Sequence, residues 1–202
     1  MLLYGKPIAE KIKDELKIQV STFFGENQKY VAILFFGDNK SSATYVHHKQ
    51  KYAKEIWIST FVFWQETEQD TTYFPILKTW TQKKYTEVKQ IFELISFLNQ
   101  DRQCIGIMIQ LPLPEIFTQH KLELLQAISE SKDIDGLWGS LMGKNFCDMI
   151  EFCPATPKAV FTLLDAYNLG NLRGKKVVII WQSIIVGKPL ASLMLNKNAT
   201  VT

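Results

Sequence analysis

Tyr30-Val31-Ala32-Ile33-Leu34-Phe35-Phe36-Gly37-Asp38-Asn39 is the stretch that decides the fold. Its first seven residues form a nearly continuous apolar run, which reads as a strand buried on both faces, and Gly37, Asp38 and Asn39 then end it in a turn. Upstream, Ile8, Ile12, Leu16 and Val20 recur at four-residue steps, with Phe23 three further on. That spacing predicts an amphipathic helix from about Pro7 to Phe24 that needs a sheet to lie on. Downstream, Ser41 or Ser42 can cap a helix running to about Glu55. Trp57 to Trp64 reads as a second strand, Glu87 to Asn99 as a helix and Cys104 to Ile109 as a third strand, bounded by Pro112 and Pro114.

Strands and helices in strict alternation imply right-handed crossovers and a parallel sheet covered on both faces. The fold class expected is therefore α/β, with an N-terminal three-layer αβα domain. Gln65 to Tyr85 is polar, contains Pro75 and has no clear period, which predicts a long surface loop. Leu122 to Ile128 suggests a further helix, and Gly136, Gly139 and Gly143 mark a loop-rich crossing. Beyond it, Pro157 opens a helix to about Tyr167, Lys175 to Trp181 reads as a strand, and Pro189 sits in the first turn of a last helix. Val201 and Thr202 begin a further strand. On this reading residues 1–118 form the first domain, and residues 119–202 hold the linker and the start of a second one.

Composition narrows the function classes. The 202 residues are 47% hydrophobic and 21% charged, as expected of an ordinary globular chain, and no apolar run reaches the ~18 residues a membrane span needs. Net charge is only +3 and the basic residues are scattered, which disfavours nucleic acid as partner. Cys104, Cys147 and Cys153 contain no CxxC pair, and the first residues lack a secretion or organelle-import pattern, so a reducing cytoplasmic compartment is expected. His47 and His48 are adjacent, hence on different helix faces, and His120 is remote; no metal site is expected.

Open parallel sheets bind ligands beyond the carboxyl ends of their strands, so the segments after Phe36 and Ile109 should share one mouth. Tyr45 and Lys49 are four apart on the intervening helix, which stacks a phenol and an amine on one face. Gln110 closes the third strand, and Leu111-Pro112-Leu113-Pro114 removes two amide donors while directing the backbone. Asp133 or Asp135 would be the third contributor. An amine beside an aromatic ring and an amide in a partly apolar pocket suits general acid/base work. The plainer alternative is an interfacial Tyr, a solvated Lys and a turn Asp before Gly136. In the second domain, Trp181-Gln182-Ser183-Ile184-Ile185-Val186-Gly187-Lys188-Pro189 lies between a strand and a helix. Helix amides greet a phosphate in such a layout, and a simple βα connection is the alternative.

Taken together, these segments resemble the methylenetetrahydrofolate dehydrogenase/cyclohydrolase family. The resemblance rests on Ser42-Ala43-Thr44-Tyr45-Val46-His47-His48-Lys49, Ile109-Gln110-Leu111-Pro112-Leu113-Pro114, Lys132-Asp133-Ile134-Asp135-Gly136, Pro154-Ala155-Thr156-Pro157, Ile185-Val186-Gly187-Lys188-Pro189-Leu190-Ala191 and Asn198-Ala199-Thr200-Val201-Thr202. It implies oxidation of 5,10-methylenetetrahydrofolate with NADP, NAD being the alternative dinucleotide, and then hydrolysis of the methenyl cation to 10-formyltetrahydrofolate. It further implies that Lys49 is the acid/base of hydrolysis, that Tyr45 stacks on the folate rings, that Gln110 orients Lys49, and that Asp135 holds the pterin edge. Leu111 and Pro112 would line the folate site, while Thr156, Trp181, Gln182, Ser183 and Gly187 would face the dinucleotide. A homodimer is the family's usual state.

This chain also departs from the pattern. Trp181-Gln182-Ser183 stands where the family has Gly-Arg-Ser, Trp57 where it has Gly, and Ala155 where it usually has Cys. Leu137-Trp138-Gly139-Ser140-Leu141 replaces Phe-His-Pro-Leu-Asn, and the 65–85 loop is longer. The family's later glycine-rich segment does not follow Thr202, so the expectation is a Rossmann-like domain cut short. Two alternatives accompany it: an enzyme with the cyclohydrolase half alone, and a catalytically silent folate-binding or interaction protein.

Overall fold

The computed structural model describes residues 2–24, 28–63, 69–149 and 152–202. Two compact units divide the chain: Lys13–Asp133, and Met1–Ile12 together with Ile134–Thr202. Residues 119–133 thus cluster with the first sheet. No helix among the described residues is long and apolar enough to cross a membrane.

In the first unit the strands β1 (Tyr30–Leu34), β2 (Ser59–Phe63) and β3 (Cys104–Ile109) form a parallel sheet in the order β2-β1-β3. The decisive apolar run is the central strand, as its composition requires. Tyr30 pairs with Ser59 and Leu34 with Phe63 on one side, and Leu34 pairs with Ile109 on the other. Phe35 and Phe36 stay buried beyond the strand's end, and the Phe35 amide still donates to the Phe63 carbonyl at 3.2 Å. Tyr30, Phe61 and Phe74 pack edge to face with centroids 5.0–5.4 Å apart, the geometry that ring quadrupoles favour.

Several predicted boundaries are corrected. The helix α1 (Gly5–Phe24) buries no residue, and Ile12, Leu16 and Phe23 are 38%, 37% and 82% exposed. Ile8 and Val20 are half-buried as expected, and the shielded stripe is completed by Lys13, Lys17 and Phe24 in place of Ile12, Leu16 and Phe23. Lys13 is drawn in by its 2.8 Å ion pair with Glu55, at the end of α2 (Lys40–Glu55). Neither Ser41 nor Ser42 caps α2; Asn39 does, its side chain accepting from the Ser42 amide at 2.9 Å. Trp57 cannot begin β2, because its φ of 62° is left-handed; Trp64 lies outside the described residues.

The described part of the 65–85 loop is not featureless. A 3-10 turn (Pro75–Leu77) and the short helix α3 (Lys78–Thr81) occupy it, seated by buried Phe74 and Leu77. Helix α4 (Val88–Gln100) starts where the Gln90 side chain reaches back to the Glu87 amide. Two short helices, α5 (Glu115–Thr118) and α6 (Lys121–Ala127), follow β3.

The second unit holds α7 (Gly139–Phe146), α8 (Ala155–Ala166), β4 (Lys176–Val177), α9 (Gly187–Asn196) and β5 (Thr200–Val201). The glycine-marked crossing is therefore partly helical, with Gly139 and Gly143 inside α7, and α8 begins two residues before Pro157. The expected strand over Lys175–Trp181 is paired only in its first part. β4 and β5 run parallel, and the ladder ends with the Ile179 amide donating to the Thr202 carbonyl at 2.8 Å. Val177 and Ile179 pack into a small core with Leu172, Met194 and Ala199, whereas Val178, Ile180 and Trp181 are 70%, 94% and 62% exposed.

Candidate active site

The first candidate site lies where β1 and β3 end. Gln110 extends the ladder one residue past β3, its amide donating to the Leu34 carbonyl at 2.8 Å. Side chains alternate along a strand, so Met108 and Gln110 project to one side, and there α2 presents Lys49. The Lys49 Nζ donates to Gln110 Oε1 at 3.0 Å and lies 3.7 Å from the Met108 sulfur. Gln110 Nε2 donates to the Leu111 carbonyl at 2.8 Å, which leaves Oε1 as the atom that meets the amine. Gln110 and Met108 are buried, whereas Tyr45, one turn before Lys49 on α2, is 65% exposed.

The loops on either side meet as the mouth requires. Gly37 has φ +120°, and a Cβ there would stand 3.2 Å from Pro114 Cγ, so only glycine brings the β1 exit against the proline run. Ser42, buried in the first turn of α2, places its hydroxyl 3.5 Å from the Leu111 carbonyl. The Leu111–Pro112 peptide is cis. Lys49, Gln110 and Leu111 are thus brought together, with Tyr45 and Pro112 at the solvent side. Met108 and Ser42 were not among the predicted residues; the signal for Met108 was its two-residue spacing from Gln110.

Of the two aspartates, Asp133 is buried and forms a parallel bridge with Ile107 of β3. Asp135 follows, half-buried, in the second unit. Gly136 after it has φ +67°, and a Cβ there would come within 3.0 Å of the Phe152 ring, so glycine is needed at this turn.

The second unit carries the loop from Trp181 to Gly187. Ser183 organises it: its hydroxyl accepts from the Val186 amide at 3.1 Å and its carbonyl accepts from the Lys188 amide at 3.0 Å. Gly187 is buried at the start of α9, and a Cβ on it would collide with the Trp181 carbonyl. The close crossing of strand and helix that a dinucleotide loop needs is therefore present, enforced by one glycine. Trp181 and Gln182 are exposed, as is Thr156 in the first turn of α8. No cationic side chain occupies the Gln182 position.

A parallel sheet with a held amine at its carboxyl end, joined to a unit with a tight strand-to-helix loop, defines a two-part α/β protein of the kind that pairs a catalytic site with a nucleotide site. Residues 3–135 match the catalytic domain of tetrahydrofolate dehydrogenase/cyclohydrolase, and residues 154–202 match the NAD(P)-binding domain of the same family. The chain belongs to the tetrahydrofolate dehydrogenase/cyclohydrolase family. It is 40% identical over 202 residues to the "Bifunctional protein FolD" of Thermodesulfovibrio yellowstonii and 35% identical to that of Acetivibrio thermocellus, in each case along 100% of this chain and 64% of the relative. The crystal structure of the Campylobacter jejuni bifunctional enzyme FolD superposes with a TM-score of 0.82 at 35% identity, over 100% of this chain and 65% of that one. The Trypanosoma brucei FolD, solved with NADP cofactor and inhibitor, gives a TM-score of 0.82 at 26% identity, over 100% and 63%. The chain thus spans about 64% of the length of the curated relatives it matches.

Proposed function

We propose that this protein acts in one-carbon folate metabolism, oxidising 5,10-methylenetetrahydrofolate with NADP and hydrolysing the methenyl product to 10-formyltetrahydrofolate. The observation that carries this reading is the 3.0 Å contact between Lys49 Nζ and Gln110 Oε1. One amine proton is directed at the amide oxygen, which fixes the direction in which the amine enters the site. In hydrolysis Lys49 takes a proton from the water that attacks the electrophilic methenyl carbon, and returns one when the ring opens. Gln110 restricts the amine to one orientation, and Met108 gives it an apolar flank. Tyr45 offers an exposed ring on which the flat folate ring system stacks, Leu111 and Pro112 line its edge, and the Asp135 carboxylate accepts hydrogen bonds from the pterin amino and ring N–H groups.

The residues of the second unit fit a dinucleotide's phosphates, since Gly187 permits close approach at the start of a ten-residue helix. When bound, NADP supplies the hydride acceptor. Ser183, Gly187 and Thr156 would hold it beside Trp181 and Gln182, with no arginine at Gln182 to pair with the 2′-phosphate. This last feature bears on NADP against NAD, while the exposed Trp181-Gln182 pair in place of the family's Gly-Arg favours a second reading in which only the cyclohydrolase half operates. The protein works in the cytoplasm on soluble folates, without nucleic-acid or membrane partners; the +3 charge without a basic stripe and the free cysteines support that setting. The test is to assay the purified chain for both steps alongside Lys49→Met. Methenyl hydrolysis that Lys49→Met abolishes, with NADP-dependent oxidation, supports the bifunctional reading. Hydrolysis alone supports the second reading, and neither reaction overturns both.

A further inference from the structure

We infer that Lys132, together with Asn99, is a positioning residue that sets where the chain leaves the catalytic sheet on its way to Asp135; the inference rests on the folate role proposed above for Asp135. Both side chains work at the carboxyl end of α4. A helix leaves its last carbonyls without intrahelical partners and carries partial negative charge there, so a cation is favoured at that end. Lys132 supplies it from outside the helix, donating to the carbonyls of Leu98 and Asp101 at 2.7 Å each. Asn99 grips the same segment one step earlier. Its Nδ2 donates to the Ala127 carbonyl at 2.8 Å and its Oδ1 accepts from the Ser129 amide at 2.9 Å. One side-chain amide thereby pairs with the backbone on both sides of buried Ile128, as a strand neighbour would.

These four hydrogen bonds fasten residues 127–132 to α4, and the turn closes with the Lys132 and Asp133 amides both donating to the Ser129 carbonyl at 2.8 and 3.1 Å. Asp133 lies directly after this fastened segment, bridged to Ile107 and buried. The anchor is itself held, because Tyr30 at the start of the central strand donates to Asp101 Oδ2 at 2.6 Å. Asp135 follows two residues later, a covalent reach of at most ~7 Å. Lys132 and Asn99 touch no part of the Lys49–Gln110 pair, so their effect on folate is carried through the backbone position of Asp135. Loosening the anchor weakens folate binding and leaves the acid/base step intact.

The experiment compares Lys132→Met, Lys132→Arg, Asp135→Ala and the Lys132→Met/Asp135→Ala double variant, with 5,10-methenyltetrahydrofolate as substrate. Amide hydrogen exchange over residues 133–136 is measured without ligand. Lys132→Met is expected to raise KM about tenfold with kcat within about twofold, and the double variant to rise no further than Asp135→Ala alone, since both act through one group. Lys132→Arg, which keeps donors for the two carbonyls, restores KM. Exchange at Asp133 speeds up about tenfold in Lys132→Met and returns to the wild-type rate in Lys132→Arg. An unchanged KM, additive effects in the double variant, or unchanged exchange would overturn the inference while hydrolysis by the parent chain still stands. A parent chain that neither binds nor hydrolyses the substrate overturns the folate reading itself, and the positioning role with it.

Discussion

Lys49 on α2 and Gln110 after β3 are 61 residues apart in sequence and 3.0 Å apart at Nζ and Oε1. The pairing exists because the glutamine's other amide atom is committed to the Leu111 carbonyl. Gln110→Leu leaves the amine without this acceptor, a loss of about 1–3 kcal/mol for a buried polar contact. Methenyl hydrolysis is expected to fall ~10- to 100-fold in Gln110→Leu, and ~100- to 10,000-fold in Lys49→Met, which removes the acid/base group itself. Steady-state hydrolysis rates of the two variants check the order.

Trp57 occupies a left-handed conformation, φ 62°, with its side chain 67% exposed. A bulky residue there costs ~1–2 kcal/mol that glycine does not, and little packing is lost when the ring is removed. Trp57→Gly is expected to raise stability by about 1 kcal/mol in urea unfolding, with folate binding unchanged.

Gly187 is where strand exit and helix start touch, so Gly187→Ala is expected to disorder the Trp181–Gly187 loop and abolish dinucleotide binding. Gln182→Arg should do the opposite. An added guanidinium has a 2′-phosphate to pair with only in NADP, so NADP affinity rises ~10-fold relative to NAD. Binding calorimetry with each dinucleotide reads both effects, and equal gains for NADP and NAD would count against that placement of Gln182.

Burial pushes the Cys104 thiol up from 9.0 to about 11, with Lys132 pulling partly the other way. Burial, then the hydrogen bond to Asp101, raises the Tyr30 phenol above its usual 10.0, and burial raises Tyr85 likewise. Each group prefers its protonated form in the folded chain. Their stabilisation is therefore complete below pH 9, and is lost from pH 9 upward as the unfolded chain ionises first. Urea midpoints should fall between pH 9 and 11, and Cys104→Ala should flatten that fall by about 2–3 kcal/mol at most. Native alkylation at pH 8 followed by peptide mass spectrometry should label exposed Cys147 first and buried Cys104 last.

The alternation of apolar runs and helical periods was sufficient to read the parallel sheet, because Tyr30–Phe36 and Cys104–Ile109 each carry a burial signal within a few residues. Tyr45, Lys49 and Gln110 were legible as candidates because helix and strand periods say which positions share a face. The α1 stripe is legible only at Ile8 and Val20, since the rest of its orientation follows from Lys13 pairing with Glu55 on another element. The helical turns at Pro75–Leu77 and Lys78–Thr81 were missed because Phe74 and Leu77 acquire their reason only once a core exists to receive them.

What the sequence determined by itself was local: strand and helix identity, the glycines and prolines that punctuate them, and the motifs that carry the family resemblance. Tertiary structure alone decided that Met108 flanks Lys49, that Asn99 and Lys132 tie the Asp133 segment to the end of α4, and that Gly187 has no room beside Trp181. The first kind of information is written in periodicities of two and 3.6 residues, which any short window contains. The second depends on contacts between residues far apart along the chain, whose geometry is set only when the sheet closes and its helices pack.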